Sequence, residues 1–346
     1  MDYRQTLIDS LTTLKKRELA NKAPFKARAY QTVIQQLEQL TEPVTSMEQL
    51  QHLKGMGEKI REKVEEVFQT GKLQAAIRAA EIYYLPAYDE LQGVYGVGPS
   101  KAKELIEQGI TSIPLLRAAV KQDPTMLNDK QRIGLIYYED LLERIPREEM
   151  KQHEDYLLRE SPLSAELVGS YRRGAQNSGD IDVLLRVPPH QTPKDTKNLF
   201  YQFVQRMIDS KYIEHVLALG EHKCMAICRL TPYHKARRLD LLVTPDEEYS
   251  FALLYFTGSD RFNVAFRQHS LSKGYTLNEH RLQRISPLSD DDPIPYMRTE
   301  QDIFHFLGLL YTEPTQRVNS NSLRFPPPPS EKKRLIVRRP IPAKDA

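Results

Sequence analysis

"LVGSYRRGAQNSGDIDVLL", residues 167–185, is the stretch on which the fold turns. An apolar run gives way to small and basic residues, and Asp180 and Asp182 then stand one residue apart before a second apolar run. If "DIDVLL" is a strand, side chains alternate between faces and residues 180 and 182 point the same way. Two carboxylates side by side repel each other unless a cation neutralises them. A bare D-x-D pair equally fits solvated aspartates at an exposed strand start, so the rest of the chain has to choose between the readings.

Composition sets the frame. With 346 residues, 40% hydrophobic and 27% charged, the chain holds two or three domains with their own cores. No apolar stretch is long enough to cross a bilayer, and "MDYRQTLIDS" has no secretory apolar region, so an intracellular protein is expected. Cys224 and Cys228 make no disulfide framework. Within "KCMAICRL" they share one face of a strand and read as buried thiols rather than half of a zinc site. The net charge of +3 is unevenly spread: residues 1–80 carry +3 and residues 318–346 carry +5, which leaves −5 between them. Basic ends suit contact with a polyanion and an acidic middle suits metal binding, although a solvated mixture of charges gives similar numbers.

The texture changes along the chain. "YRQTLIDSLTTLKKREL", "ARAYQTVIQQLEQL" and "EKIREKVEEVFQTGKL" carry apolar residues at helical spacing, and the pattern continues to about residue 143. Near residue 165 short β-rich runs take over ("AELVGSY", "DIDVLLRV", "CMAICRL", "RRLDLLV"), with "DTKNLFYQFVQRMIDS" as a helix among them. After residue 247 the pattern is mixed, and the proline run and basic cluster of "RFPPPPSEKKRLIVRRPIPAKDA" read as a disordered tail. A short repeat lies in the helical part: "LKGMGEKI" at 53–60 and "VYGVGPSKA" at 94–102. Gly55, Gly57, Gly96 and Gly98 permit tight turns that present helix-start amides, which suit a phosphate. One such turn is a common helix connector; two between amphipathic helices predict helix-hairpin-helix elements that grip a nucleic-acid backbone without reading its sequence.

Taken together, "LKGMGEKIREKVEEVFQTGKL", "GVGPSKAKELIEQGI", "QRIGLIYYEDLLERIPREEM", "GSYRRGAQNSGDIDVLL", "RRLDLLV", "LLYFTGSDRFNVAFRQHSLSKGYTLNEH" and "DIFHFLGLLYTEP" resemble the family X DNA polymerases, in family order from about residue 20 to 317. The chain resembles the compact beta-like members, without an extra amino-terminal protein-binding domain. The resemblance implies a multidomain α and α+β architecture. A helical lyase-like domain with a helix-hairpin-helix (1–80) precedes a helical DNA-binding subdomain with a second one (81–143). A nucleotidyltransferase β-sheet palm (144–246), an α+β subdomain for the nascent base pair (247–317) and the tail (318–346) follow.

The chemistry fits the residues. Phosphoryl transfer uses one metal to favour ionisation of a 3′-hydroxyl and another to hold the triphosphate, and Mg²⁺ prefers a few carboxylates with water and phosphate oxygens. The resemblance assigns Asp180 and Asp182 to bridge two Mg²⁺, for which Mn²⁺ can substitute, and Asp240 to the catalytic one; it also allows a monovalent cation at the hairpin turns. Ser170, Arg173, Ser178 and Gly179 match the triphosphate cradle, with donors that suit phosphate oxygens, while Arg172 also fits a plain surface arginine. Tyr255, Phe256 and Gly258 match the sugar-discriminating turn, Asp260 and Asn263 match residues that contact the incoming base, Arg267 matches one that reaches the minor groove, and the resemblance adds Lys223 and Arg238 to the DNA contacts.

Lys59 and Lys63 share a helix face, and a neighbouring cation favours a lysine's free amine. The resemblance makes Lys63 the Schiff-base nucleophile of a 5′-deoxyribose phosphate lyase and gives the 5′-phosphate to Lys59. The chain departs from the family pattern at Ala23, Pro24, Arg28 and Ala75 around this pocket, and at Leu242, Val264 and His280 in the polymerase part. The implied function is template-directed gap filling in base excision repair. Substrates would be dNTPs and gapped or nicked DNA with a 5′-phosphate, and an abasic-site endonuclease and a repair ligase would act in the same pathway. A monomer is expected, with no membrane association, nuclear if a cell encodes it and equally compatible with a virus. A template-independent nucleotidyltransferase and a non-catalytic DNA-end-binding scaffold are the competing readings.

Overall fold

Leu7, Leu11 and Leu14 recur at i, i+4 and i+7, and all three are buried on one side of a single helix. The computed structural model describes residues 2–83, 86–189, 191–285 and 294–327, and it divides into two units between Glu143 and Arg144.

The first unit is helical. It contains α1 (Arg4–Ala20), α2 (Pro24–Gln39), α3 (Glu58–Thr70), α4 (Gln74–Tyr83), α5 (Pro86–Gln92), α6 (Pro99–Glu107), α7 (Ile113–Gln122), α8 (Asp129–Ile136) and α9 (Tyr138–Leu142). The leucines of α1 share a core with Val33, Ile34 and Leu37 of α2 and with Val64 and Val67 of α3, and that core continues through Leu91, Leu105 and Leu116. Each fully buried side chain of this size contributes about 1.5–3 kcal/mol. Helix α2 opens with proline, whose missing N–H costs nothing at a helix start. Helix α3 stops at Gly71, whose φ of 73° places it in the left-handed cap that glycine adopts without strain.

In the second unit a sheet carries the site. In chain order come β1 (Ile145–Pro146), α10 (Arg147–Glu160), β2 (Ser164–Leu167), α11 (Gly169–Arg172), β3 (Asn177–Ser178), β4 (Ile181–Val187) and α12 (Pro193–Asp209). They are followed by β5 (Ile213–Leu219), β6 (Lys223–Cys228), β7 (Arg237–Pro245), α13 (Tyr249–Thr257), α14 (Asp260–Ser272), β8 (Tyr275–Leu277), β9 (Leu282–Arg284) and α15 (Glu300–Phe306). Among the described residues the main sheet has the order β2-β4-β7-β6-β5, with β4 and β7 parallel and the other pairs antiparallel. Alternation divides its two faces. Ile181, Val183, Leu185, Leu239, Leu241 and Val243 pack with Met150 and Leu157 of α10 and with Phe200, Phe203 and Met207 of α12. Asp182, Leu184, Arg238, Asp240 and Leu242 take the opposite face. Leu184 and Leu242 lie under α13, in a small core with Val168, Tyr249, Ala252 and Leu253. Cys224 and Cys228 are buried, and burial pushes both thiols up to about 12.

A third core joins Phe262 and Phe266 of α14 to Phe304 of α15, with the Phe266 and Phe304 rings 4.7 Å apart. Residues 318–324, expected to belong to a disordered tail, are instead held by hydrogen bonds. The Leu310 N–H donates to the Arg324 carbonyl at 2.8 Å, Thr312 Oγ1 to the Ser322 carbonyl at 2.9 Å, and Ser259 Oγ to the Val318 carbonyl at 2.7 Å. These bonds satisfy backbone groups that a disordered chain would leave to water. The basic cluster at 332–339 lies outside the described residues.

Candidate active site

The parallel register of β4 and β7 sets Asp182 directly opposite Asp240, and Asp180 lies one residue before β4. Burial first, and then the carboxylates of Asp180 and Asp240, push the Asp182 carboxyl up to about 7. Two cations share the cluster. Arg238 Nη2 is 3.0 Å from Asp180 Oδ2 and 3.8 Å from Asp240 Oδ2, and Lys223 Nζ is 3.4 Å from Asp240 Oδ2. Both residues expected at the DNA thus stand against the carboxylates themselves. Among the described residues no group of three or more His, Cys, Asp or Glu side chains stands ready to hold a metal ion by itself. An open, all-oxygen donor set nevertheless fits Mg²⁺ or Mn²⁺, which takes only a few protein carboxylates and completes its shell with water and phosphate oxygens. The mutual repulsion that adds to burial in raising Asp182 is what such a cation relieves.

Beside the carboxylates lie the residues expected to form the cradle. The Val168 N–H donates to the Asp182 carbonyl at 2.9 Å, and the chain then turns at Gly169 into α11. Ser170 Oγ donates to Ser178 Oγ at 3.0 Å, so residues eight apart come together at the cluster's edge. Gly179 is exposed, with open space on its surface except for Arg144, whose Nη1 lies 3.6 Å from where a Cβ would be. Arg173 Nη1 donates to the Thr257 carbonyl at 2.6 Å, and burial lowers its pKa. That bond ties the cradle to the turn after α13. Tyr255 and Phe256 meet edge to face with centroids 5.1 Å apart, and a Cβ on Gly258, at φ 67°, would lie 3.2 Å from Arg173 Nη1. Asp260 is exposed in the first turn of α14. Asn263 Nδ2 donates to the Tyr255 carbonyl at 2.7 Å, and Arg267, one turn on, lines a small pocket with Tyr255 and Asn278.

The glycine repeats of the first unit form matching turns. Gly55 and Gly96 have φ of 82° and 84°, and Gly57 and Gly98 cap α3 and α6 with extended backbone and no side chain over the first amides. Each turn is held by a glutamine from another helix. Gln36 of α2 bonds both the N–H and the carbonyl of Lys54, at 2.9 and 2.8 Å, and Gln131 of α8 donates to the Gly96 carbonyl at 2.9 Å. On α3 the Lys63 ammonium donates to the Lys59 carbonyl at 2.9 Å.

Several residues at these sites escape a reading of the sequence. Gly169 is one: it sits at φ 61°, and a Cβ there would lie 2.5 Å from Asp182 Oδ2. The adjacent Gly-Ser pair is the only local signal for it. Arg144 at the cradle and the two clamping glutamines have no local signal at all. Arg172 corrects the surface-arginine alternative. Its guanidinium bonds Glu166 at 2.8 Å, the Thr257 hydroxyl at 2.7 Å and Glu300 at 2.9 and 3.1 Å, and the fully buried Arg317 bonds Glu300 from the other side at 2.6 Å. Burial works against the charge on Arg172, but Glu300 and Glu166 outweigh it.

Comparison with known proteins agrees with this geometry. Family models for the DNA polymerase beta palm and thumb match residues 144–246 and 252–318; a helix-hairpin-helix domain model matches 2–73, and a model for the fingers domain of DNA polymerase lambda matches 89–142. The chain is 29% identical to DNA polymerase lambda of Rattus norvegicus over 337 residues, covering 91% of this chain and 56% of that protein. Against DNA polymerase lambda of Arabidopsis thaliana it is 29% identical over 310 residues, covering 84% and 57%. Against DNA nucleotidylexotransferase of Xenopus laevis it is 27% identical over 315 residues, covering 80% and 60%. The chain thus spans a little over half the length of these relatives.

Proposed function

The chain belongs to the family X DNA polymerases, and on that premise we propose that it is a template-directed polymerase that fills short gaps during base excision repair. The observation that carries this reading is the register of Asp182 against Asp240, with the Ser170–Ser178 pair in the segment that leads into β4.

In this reading Asp180, Asp182 and Asp240 would hold two Mg²⁺, or Mn²⁺ in their place, which would supply Lewis-acid stabilisation of the 3′-oxygen and of the leaving pyrophosphate. The protein's own share is positioning. Ser170, Ser178, Arg173 and the Gly179 amide hold the triphosphate, and Tyr255, Phe256 and Gly258 bound the sugar. Asp260 and Asn263 lie at the base, and Arg267 at the minor groove. Arg238 and Lys223 balance the carboxylates and are the cations we assign to the primer phosphates. The turn amides at Gly55, Gly57, Gly96 and Gly98 grip backbone phosphates, with a monovalent cation as a candidate companion there. DNA affinity should therefore fall steeply with salt as counterions are released.

A second activity is assigned to the first unit. The Lys63 amine attacks the C1′ aldehyde of a 5′-deoxyribose phosphate and water leaves as the imine forms; a C2′ proton is then lost to water as the C3′–O bond breaks and frees the DNA 5′-phosphate, and water hydrolyses the remaining imine to return the amine. Lys59 holds that phosphate. An endonuclease that opens abasic sites must supply the substrate and a ligase must seal the product, in the nucleus if a cell encodes the chain. No helix among the described residues is long and apolar enough to cross a membrane. The likeness to a DNA nucleotidylexotransferase keeps template-independent addition as the second reading.

The test is single-nucleotide gap filling on DNA with a 5′-deoxyribose phosphate flap, with borohydride trapping in parallel. Wild type should extend and be trapped, and Lys63→Ala should extend without being trapped. Extension by a wild type that is never trapped would reduce the first unit to a DNA grip.

A further inference from the structure

Helix α10 holds none of the candidate site residues, yet it is bonded to both halves of the site. Arg147 and Glu154 are seven residues apart, and so share one face of the helix, while Glu149 and His153, four apart, share another. The first face holds the cradle. Arg147 Nη1 donates to the Tyr171 carbonyl at 3.0 Å and to the Ala175 carbonyl at 3.1 Å, its guanidinium lies 4.4 Å over the Tyr171 ring, and Tyr171 Oη donates to Glu154 at 2.7 Å. These contacts fix the segment that connects Ser170 and Arg173 to Ser178. The second face holds the carboxylate strand. Glu149 accepts from Arg237 Nε at 2.7 Å and from Arg237 Nη2 at 2.8 Å. Arg237 is the first residue of β7, buried, next to Arg238 and three before Asp240. His153 closes this face from behind. Its Nδ1 is 2.7 Å from Tyr212 Oη, while its buried Nε2 is 3.8 Å from Glu149 Oε1, beyond hydrogen-bonding reach, which leaves both Glu149 oxygens to Arg237.

We propose that α10 is a brace that sets the spacing between the phosphate cradle and the carboxylate strand, with Arg147 and Glu149 as positioning residues. The proposal rests on the polymerase reading above for its kinetic arm only. Misplacing a reacting group by about 1 Å costs about a hundredfold in rate, and one rigid helix bonded to both groups removes that freedom. Because the two bonds lie on different faces, cutting them should separate two properties of the site.

The experiment uses the full chain with Arg147→Met, Glu149→Gln and Arg237→Lys, the last keeping the charge while losing the two-pronged bond. Calorimetry measures Mn²⁺ binding alone and dATP binding with Ca²⁺ and gapped DNA; gap-filling kinetics are run alongside, normalised to active enzyme. Arg147→Met should weaken dATP binding and raise its KM at least tenfold, with Mn²⁺ affinity within twofold of wild type. Glu149→Gln and Arg237→Lys should weaken Mn²⁺ at least fivefold and lower kcat at least tenfold, with dATP KM within twofold. Loss of all properties together in every variant, or unchanged Mn²⁺ affinity in both Glu149→Gln and Arg237→Lys, overturns the brace. The crossed pattern in the binding data with no primer extension by wild type would uphold the brace and sink the polymerase reading instead.

Discussion

Replacing Gly169 with alanine tests how the backbone shapes the carboxylate cluster. At φ 61° the substituted residue is forced into the left-handed region, which costs an L side chain about 1–2 kcal/mol. The new Cβ would also lie 2.5 Å from Asp182 Oδ2. That atom is the free end of a side chain, so the clash is relieved by rotating the carboxylate rather than by moving the sheet. The stability loss should therefore stay near about 1–2 kcal/mol, while the carboxylate is displaced by about 1 Å from its place opposite Asp240, a scale worth about a hundredfold in rate. Gly179→Ala is the control, because a Cβ there meets only Arg144 Nη1 at an ordinary 3.6 Å. Urea unfolding and a calorimetric Mn²⁺ titration on wild type and both variants decide the matter. Mn²⁺ affinity should fall at least tenfold in Gly169→Ala and stay within twofold in Gly179→Ala. Equal Mn²⁺ affinities in all three proteins would refute the argument.

Other expectations follow from burial and charge. Gly134→Ala in α8 should gain about 1 kcal/mol of helix propensity but lose more to overpacking, because its Cβ would collide with the Tyr95 backbone carbonyl; thermal melting should show a lower Tm. Glu300→Gln should cost about 3–5 kcal/mol in chemical denaturation, since it removes a buried carboxylate from between Arg172 and Arg317. Burial raises Glu149, but the facing His153 and Arg237 more than reverse this and hold it at about 2. Its contribution to stability is thus complete above its unfolded value near 4.5 and is lost as pH falls toward 2, an effect of about 3 kcal/mol. Urea midpoints between pH 6 and pH 2 should fall more steeply for wild type than for Glu149→Gln.

Much of this was legible because the signals are local. Alternation in "DIDVLL" is a property of neighbouring residues, and it marks Asp180 and Asp182 as a pair; that Asp240 stands opposite Asp182 is set by the pairing of β4 with β7. The paired glycine turns announce themselves by the freedom that only glycine has at φ above 80°. What stayed hidden depends on residues far apart in sequence. Gln36 and Gln131 look like ordinary surface residues until the helices that carry them pack against the turns. Arg172 meets Glu300 across 128 positions, and no periodicity encodes such a pairing. Lys223 and Arg238 are basic, as a DNA contact would be, but their nearest carboxylates are set by the pairing of β6, β7 and β4. The segment from 318 to 324 reads as part of a disordered tail, but its hydrogen bonds to Leu310, Thr312 and Ser259 hold it in place.

The most direct test of the central claim is single-nucleotide gap filling by wild type and Asp240→Ala, each measured with a templating base and with that base replaced by an abasic analogue. The account predicts that wild type adds the complementary nucleotide only where a templating base is present, and that Asp240→Ala loses at least a thousandfold in rate while binding the gapped DNA as wild type does. Addition that ignores the template, or extension that survives Asp240→Ala, would contradict it.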